Sequence, residues 1–462
     1  MSPWPQRAMQ PPSYLTFFVS LLLVALVDCN FTDYTVVRIA TTKDTIKDDL
    51  RRLDELLGYR IDYLRQVRCT GYPAEMLVHE KDLKFVQRYL DEKGILNELI
   101  TSNMTQQLRR ERRALAAHVN GDITLDHIQK KYLSFDDQMA LLLQLAQRFP
   151  QFVDVWQIAT SYEGRTIYAI KIGYPSTIKK PILWIDAGIH AREWISHSTA
   201  LNIIWQFIHD SSYKRLLHEI DIIVVPNTNP DGYEYSRDTN RMWRKTRSRS
   251  TASRFSEQCT GVDGNRNYPF HFGEEGVSHW PCQEIYCGRV ALSEPEVLGL
   301  AAAILERKNQ IRGYIALHSF GQDILYPWGH KVHVYPPDVE DLRIMAHGVA
   351  AAIQSVYGTR YLVSNSADGL YPASGAADDW AKSIGVKYSY TFELSPTQLD
   401  PGFVLPETHI SRVGREIMEG VAYMANRIRT EEAGRLLNDI LSSRPIRRRS
   451  HSRVFASRRR HV

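Results

Sequence analysis

The sequence predicts an α/β protein, in which a large mixed or parallel sheet is covered by helices on both faces and is preceded by a smaller α/β unit. Two observations predict it. Over about 300 residues from Ser134 onward, apolar β-branched runs alternate with amphipathic helical stretches, the pattern of strands buried on both faces. Between residues 35 and 108, two shorter helical patterns are interleaved with short strands, and the basic run RRERR follows directly. A chain of 462 residues, 44% hydrophobic and 24% charged, has room for one large core and a second small one.

In order along the chain, Arg7, the apolar run Tyr14 to Val27 and the polar turn Asp28, Cys29 and Asn30 read as a secretory signal peptide over residues 1–29. The run is shorter than the ~20 residues of a membrane span, and a retained anchor is the alternative. In the small unit, TVVRIA, IDYLRQV and EMLVHE read as strands. Asp44 to Leu57 places Ile46, Leu50, Leu53 and Leu57 at helical spacing and stops at Gly58. Lys81 to Lys93 repeats the pattern with Leu83, Val86 and Leu90 and stops at Gly94. Behind a secretory leader and between two folded units, RRERR reads as a cleavage site for a basic-specific protease, at Arg109, Arg110, Arg112 or Arg113. In a cytosolic chain the same run would be a solvated helix face.

In the large unit, Ser134 is expected to cap a helix, with Asp137 in the capping-box position and Phe149-Pro150 closing it. TIYAIKIG, PILWIDAG, IDIIVVPN, GYIALHS and YSYTFEL read as strands, and His197 to His209, Ser293 to Lys308 and Leu342 to Tyr357 as helices. Beyond about residue 430, a tail containing RPIRRRSHSRVFASRRRHV is expected to be solvated and disordered. Much of the basic excess behind the net charge of +5 lies in this tail and in RRERR. Neither is interleaved with aromatics, so no nucleic-acid partner is expected. Export makes Asn30-Phe31-Thr32 and Asn103-Met104-Thr105 candidate glycosylation sites, and leaves Cys69, Cys259, Cys282 and Cys287 as candidates for pairing.

Sheets of this kind place their chemistry beyond the strand ends, where GIHAREW, PNTNPDG, ALHSF and TFELS fall. His190 and Glu193 follow one strand and His318 another. Two imidazoles and a carboxylate with a fourth position open are the ligands of a catalytic zinc. A bare His-x-x-Glu is more often a surface salt bridge. Here, however, Arg192, Arg241, Arg244, Asn265 and Arg266 fall in loop-like segments, and Glu393 follows an apolar strand that Pro396 terminates. Several arginines beside an acid and a metal are hard to explain as packing.

Taken together, HAREW, NPDGYEYS with NRMWRKTRS, GVDGNRNY, LHSFGQ, LYPASG and TFEL make the chain from about residue 35 to 427 resemble the zinc metallocarboxypeptidases of the pancreatic carboxypeptidase A and B type, secreted as proenzymes. The resemblance implies a ferredoxin-like prodomain over 30–113, a catalytic domain with a mixed eight-stranded twisted sheet over 114–429, and the basic tail over 430–462. It implies one Zn(2+) held by His190, Glu193 and His318, with Glu393 as general base and Arg244 at the oxyanion. Asn265 and Arg266 would grip the terminal carboxylate of a peptide or protein, Tyr371 would close over the bound residue, and Arg192 and Arg241 would belong to the substrate-binding set. The prodomain would cover the site as an inhibitor until an activating protease cuts the linker. Cys259 and Cys282 match the disulfide position of the family.

The resemblance also implies a specificity pocket with Asp378 on its floor and Gly329 and Ser366 on its walls, which suits a terminal Lys or Arg. The alternative is that Asp378 caps a helix beginning near Asp379, leaving a pocket for apolar or aromatic ends. A silent homologue that only binds termini is a further alternative, against which the complete set His190, Glu193, His318, Arg244 and Glu393 argues. Three departures stand out. The glutamate of TFEL is usually followed by Arg and Asp, but here by Ser395, Pro396 and Thr397; Cys287 stands where the family often has no cysteine; and the basic tail has no counterpart in the typical enzyme.

Overall fold

A computed structural model describes residues 34–43, 45–65, 67, 73–100, 111, 119, 121–249, 259–397 and 402–442. The leader, both sequons, Cys69, the four arginines of RRERR and residues 443–462 lie outside the described residues. No helix among the described residues is long and apolar enough to cross a membrane.

The N-terminal unit contains β1 (Tyr34–Ile39), α1 (Ile46–Leu57), β2 (Ile61–Arg65), β3 (Ala74–His79), α2 (Glu80–Glu92) and β4 (Asn97–Ile100), with strand order β2-β3-β1-β4. All its pairings are antiparallel. Both helices end where the glycines predict: Gly58 and Gly94 adopt φ of +53° and +59°, values costly for other residues. The period of two sends Val37, Ile39, Met76 and Val78 against Leu50, Leu53, Val86 and Leu90 of the helices. The intervening Val36 and Leu77, with Leu64 of β2, pack instead on Met242, Phe320, Phe403 and Val404 of the large unit. The sheet is thus apolar on both faces because each face has a partner. β4 escaped the sequence reading, since NELI buries none of its four residues.

The large unit contains α3 (Leu125–Lys130), α4 (Phe135–Arg148), β5 (Val153–Thr160), β6 (Thr166–Ile172), β7 (Ile182–Ala187), α5 (Trp194–His209), α6 (Lys214–Glu219), β8 (Asp221–Val225) and α7 (Pro230–Asp238). It continues through α8 (Pro295–Arg307), β9 (Ile311–Ser319), β10 (Asp323–Tyr326), α9 (Val339–Tyr357), β11 (Leu362–Asn365), α10 (Ser366–Gly369), α11 (Ala377–Ser383), β12 (Tyr388–Leu394) and α12 (Ile410–Ser442). Its eight strands are ordered β11-β10-β12-β9-β7-β8-β6-β5, with β8, β7, β9 and β12 parallel at the centre. Ser134 caps α4 as expected, its hydroxyl accepting from the Asp137 amide at 3.1 Å.

Strand alternation divides the core into two layers. Leu183, Ile185, Ile222, Val224, Ile315 and Leu317 face one side, against α4, α5, α9 and α12. Ile182, Trp184, Ile223, Val225, Tyr314 and Ala316 face the other, against α8 and α11. Side chains buried on both faces are what continuous apolar runs such as ILWIDA encode.

The boundary expected at residue 429 needs correction, because α12 runs unbroken to Ser442. Arg429 bonds Glu219 at 2.9 Å, Glu432 bonds Arg312 at 2.7 Å, and Glu431 accepts from Tyr388 and Lys387. Glu431 and Glu432 belong to the stretch expected as a solvated tail, and with Arg429 they fasten the helix to the body.

Candidate metal centre and peptide cleft

The site grows from the carboxyl ends of the central parallel strands. β7 leads into Gly188, whose φ is +75°, and a Cβ there would stand 1.8 Å from the His197 ring. Only glycine allows the chain to turn so close to α5. The turn carries His190 and delivers Glu193 at the start of α5. Next to β7, β9 pairs Leu317 with Ala187, which sets His318 at the same edge. One strand further, Glu393 of β12 is the register partner of His318. Neighbours in register share a face of the sheet, so strand order brings a distant acid to the two histidines.

The three expected ligands converge. Donor atoms of His190, Glu193 and His318 lie within 4.8 Å of one another, and all three residues are buried. His190 Nδ1 is 2.8 Å from Glu193 Oε1, and His318 Nδ1 is 3.1 Å from both Glu193 Oε2 and His190 Nδ1. Burial lowers the pKa of His318, but the Glu193 carboxylate outweighs it and raises it to about 9. Two imidazoles and a carboxylate, clustered on the wall of a cavity, are the donor set of a catalytic zinc. The site accordingly takes one zinc ion per subunit.

One residue of this centre escaped the sequence reading. Asp263 Oδ1 is 3.0 Å from His190 Nε2, 73 positions away in the chain, and its Oδ2 accepts from Arg244 Nε and Nη2 at 3.1 and 2.8 Å. Burial opposes its ionisation, but Arg244, His190 and Arg266 outweigh that and hold its pKa well below the ordinary range. A carboxylate on the outer nitrogen of a metal-binding histidine fixes its ring and tautomer. The available signal was an acid inside GVDGNRNY, two residues before Asn265.

A single cavity is lined by the metal donors together with Arg192, Arg244, Asn265, Arg266, Gly329, Ser366, Tyr371, Asp378 and Glu393. Asn265 Oδ1 accepts from the Ala377 amide at 2.9 Å, at the start of α11. Arg266 donates to Gly276 O and to Asn265 O, both at 2.9 Å, which orients its fork. Gly375, at φ +71°, passes so near that a Cβ would meet Arg266 O at 2.4 Å.

Asp378 is the second residue of α11; the cap is Ala376, without a side-chain bond, so the capping alternative fails. Its Oδ2 accepts from Ser366 Oγ at 3.3 Å. Burial first, then the neighbouring Asp379 charge, raises its pKa above the ordinary carboxylate range. Asp379 has a different job: it accepts from the amides of Gly329 and His330 at 2.7 and 2.9 Å and ties α11 to that wall.

Arg241 is the expected substrate residue that the structure does not bring to the cavity. Its guanidinium lies 3.6 Å over the Trp194 ring and donates to Glu111 at 2.9 Å and to the carbonyls of Arg192 and Phe403. Three such bonds leave it a buried brace between loops. Arg192 does line the cavity, but its Nη1 is bonded to Asp62 of β2 and to Met242 O, and its fork lies over Phe403. Cys259 and Cys282 are joined in a disulfide, and Cys287 is free and buried. Beyond Glu393, Ser395 turns to Gln322 and Glu416, so the Ser-Pro departure leaves Glu393 within β12.

Comparison with known proteins agrees with this geometry. The family model described as zinc carboxypeptidase matches residues 139–420. Carboxypeptidase B of Astacus astacus is 42% identical over 297 residues, covering 64% of this chain and 96% of the relative. Carboxypeptidase A1 of Rattus norvegicus is 33% identical over 404 residues, covering 86% of this chain and 94% of the relative. The crystal structure of carboxypeptidase A from Helicoverpa armigera superposes with a TM-score of 0.78 at 29% identity, covering 86% of this chain and 98% of that one. With its buried His-Glu-His centre set at the carboxyl edge of the mixed sheet, the chain belongs to the zinc carboxypeptidase family and acts on the C-termini of peptides and proteins.

Proposed function

We propose that this carboxypeptidase prefers terminal Lys and Arg, and that its N-terminal unit holds it latent until the linker at Arg109–Arg113 is cut. The observation that carries the preference is Asp378, a buried carboxylate in the cavity wall whose bond to Ser366 is long and whose acidity is suppressed by burial and by Asp379. Such a group is costly until a cation meets it. Gly329 and Ser366 are small enough to leave room for a long basic side chain.

In this reading Asn265 and Arg266 bind the terminal carboxylate, since a planar guanidinium matches a carboxylate with two parallel hydrogen bonds. Tyr371 closes over the terminal residue. Zinc, when held by His190, Glu193 and His318, supplies Lewis acidity that polarises the scissile carbonyl and acidifies a water. Glu393 takes the proton from the attacking water and returns it to the leaving amine. Arg244 uses its Nε and Nη2 edge on Asp263, leaving the Nη1 side of the fork for the charge that develops on the carbonyl oxygen.

Latency is supported by the bond between Arg192 and Asp62 and by the apolar seam of Val36, Leu64 and Leu77 against Phe320 and Phe403. The N-terminal unit, read as a ferredoxin-like prodomain over 30–113, would then sit on the approach used by upstream substrate residues. Its removal by a basic-specific protease would open that approach. The leader over 1–29 and the sequons at Asn30 and Asn103 support a secreted, extracellular setting.

The test compares release of the last residue from otherwise identical peptides ending in Arg, Lys, Leu and Phe, using the cut enzyme and its D378I variant. The expected result is an Arg and Lys preference of roughly a hundredfold that D378I loses, as for truncating one partner of a buried charge pair. A wild-type preference for Leu or Phe, or a D378I enzyme that still favours Arg, rejects the assignment.

A further inference from the structure

The cavity has one more wall, Gln283, Glu284 and Ile285, that the roles above leave unused. It is stiffly held. It follows Cys282 of the disulfide, and the amides of Ser278 and Asp263 donate to Ile285 O and Tyr286 O at 2.9 and 2.8 Å. At its centre, Glu284 Oε2 is buried and has no hydrogen-bond partner.

The cations whose charge reaches Glu284 are Lys245, Arg192 and Arg244, and each spends its bonds elsewhere. Lys245 Nζ donates to Pro281 O at 2.6 Å. Arg192 is bonded to Asp62 and Met242 O, and Arg244 to Asp263. Burial, and after it the charge of Asp62, raises the Glu284 carboxyl above its ordinary range, as happens to an acid whose charge is not met. Asp62 belongs to the N-terminal unit and Glu284 to the large one. When the linker is cut and the small unit leaves, Glu284 loses the opposing charge of Asp62 and faces an opened cleft, in which Arg192 keeps its bond to Met242 O.

We infer that Glu284 determines specificity for the peptide upstream of the scissile bond, where it takes a cationic hydrogen-bond donor. The donor can come from a Lys or Arg side chain, or from the free ammonium of a very short peptide. The inference rests on the orientation proposed above, with the terminal residue at Asp378 and the upstream chain passing Arg192. It adds a second acidic subsite, so that a chain ending in several basic residues meets one acid at its last residue and another further back.

The experiment uses the cut enzyme and peptides that share one C-terminal residue and carry Lys, Ala or Glu at the positions upstream of the scissile bond. A second series of short peptides has free or acetylated N-termini. Wild type is expected to give a Lys-to-Ala ratio in kcat/KM of roughly ten or more, the size of a charge-assisted hydrogen bond. E284Q should bring the ratio to about one, and E284K should push it below one and favour Glu. If acetylation lowers kcat/KM for the short peptides in wild type but not in E284Q, the ammonium is a source as well. A flat ratio in wild type, or the same ratio in all three enzymes, overturns the inference. Because the terminal residue is constant, losing the Arg preference at Asp378 while keeping the upstream ratio counts against Asp378 alone.

Discussion

Asp263 and Asp378 are buried carboxylates in one cleft, placed in opposite surroundings. Asp263 touches His190, Arg244 and the Asn265 amide and is held strongly ionised. Asp378 has a hydroxyl at 3.3 Å and another acid as its neighbour, and it resists ionisation. The first carboxylate is satisfied by the protein and stiffens what it touches; the second has no cation beside it, and in the proposed reading a ligand supplies one. On that proposal the metal end of the cleft is braced by the protein's own charges, whereas the specificity end is completed by its substrate. Asp62 on Arg192 is a third case, in which the N-terminal unit, proposed to be removable, supplies the partner.

The comparison breaks most visibly at Asp263. D263N leaves Arg244 as a buried cation without its carboxylate and frees the outer nitrogen of His190. Zinc affinity is expected to fall about 10- to 100-fold, and stability by about 3–5 kcal/mol, as for a broken buried ion pair. Chelator titration and thermal unfolding check both. A D263N protein that keeps its zinc and its stability would mean that the satisfied end does not depend on this acid.

The latch at Asp62 should yield a smaller effect. D62N removes one charge-assisted bond, worth about 1.5–3 kcal/mol, while the apolar seam stays. Activity of the uncut chain is expected to rise about tenfold on small peptides, with no change once the linker is cut. Equal activity of the intact D62N and wild-type chains would show that the seam alone provides the cover.

The smallest effect sharpens the Asp378 half of the comparison through pH. Because its folded pKa is raised, the carboxyl gains a proton on acidification sooner than an ordinary one. KM for Arg-ending peptides should therefore climb as pH falls from neutrality, while KM for Leu-ending peptides stays flat. The sign for stability is the reverse. A folded pKa above the unfolded value means that the folded state binds more protons, so this contribution is favourable at low pH and is lost as pH rises through the folded pKa. D378N should flatten both profiles, measured by peptide kinetics and by unfolding across the same pH range.

Much of this molecule was legible in the residues. Continuous apolar, β-branched runs marked the central strands, Gly58 and Gly94 marked the helix ends, and Ser134 marked a cap. His190, Glu193 and His318 stood out because polar ligands followed apolar strands. The short strands β10 and β11, four residues each, carried too little pattern to be found. The polar stretch of α12 read as tail because its anchoring bonds reach residues more than 40 positions away.

By itself the sequence determined which residues could form elements and which could bind a metal, since periodicity, glycine freedom and ligand chemistry are local properties. Tertiary structure decided the pairings. It put Asp263 behind His190, turned Arg241 onto Glu111 and Trp194 rather than into the cleft, set Asp62 on Arg192, and left Asp378 inside a helix rather than at its cap. Each of those outcomes depends on strand order, on loop packing or on where a helix begins within its surroundings. Hydrogen bonds and ion pairs act only at contact distance, and contacts across 130 positions of chain, such as Arg192 with Asp62 and Arg241 with Glu111, exist only after the fold has formed.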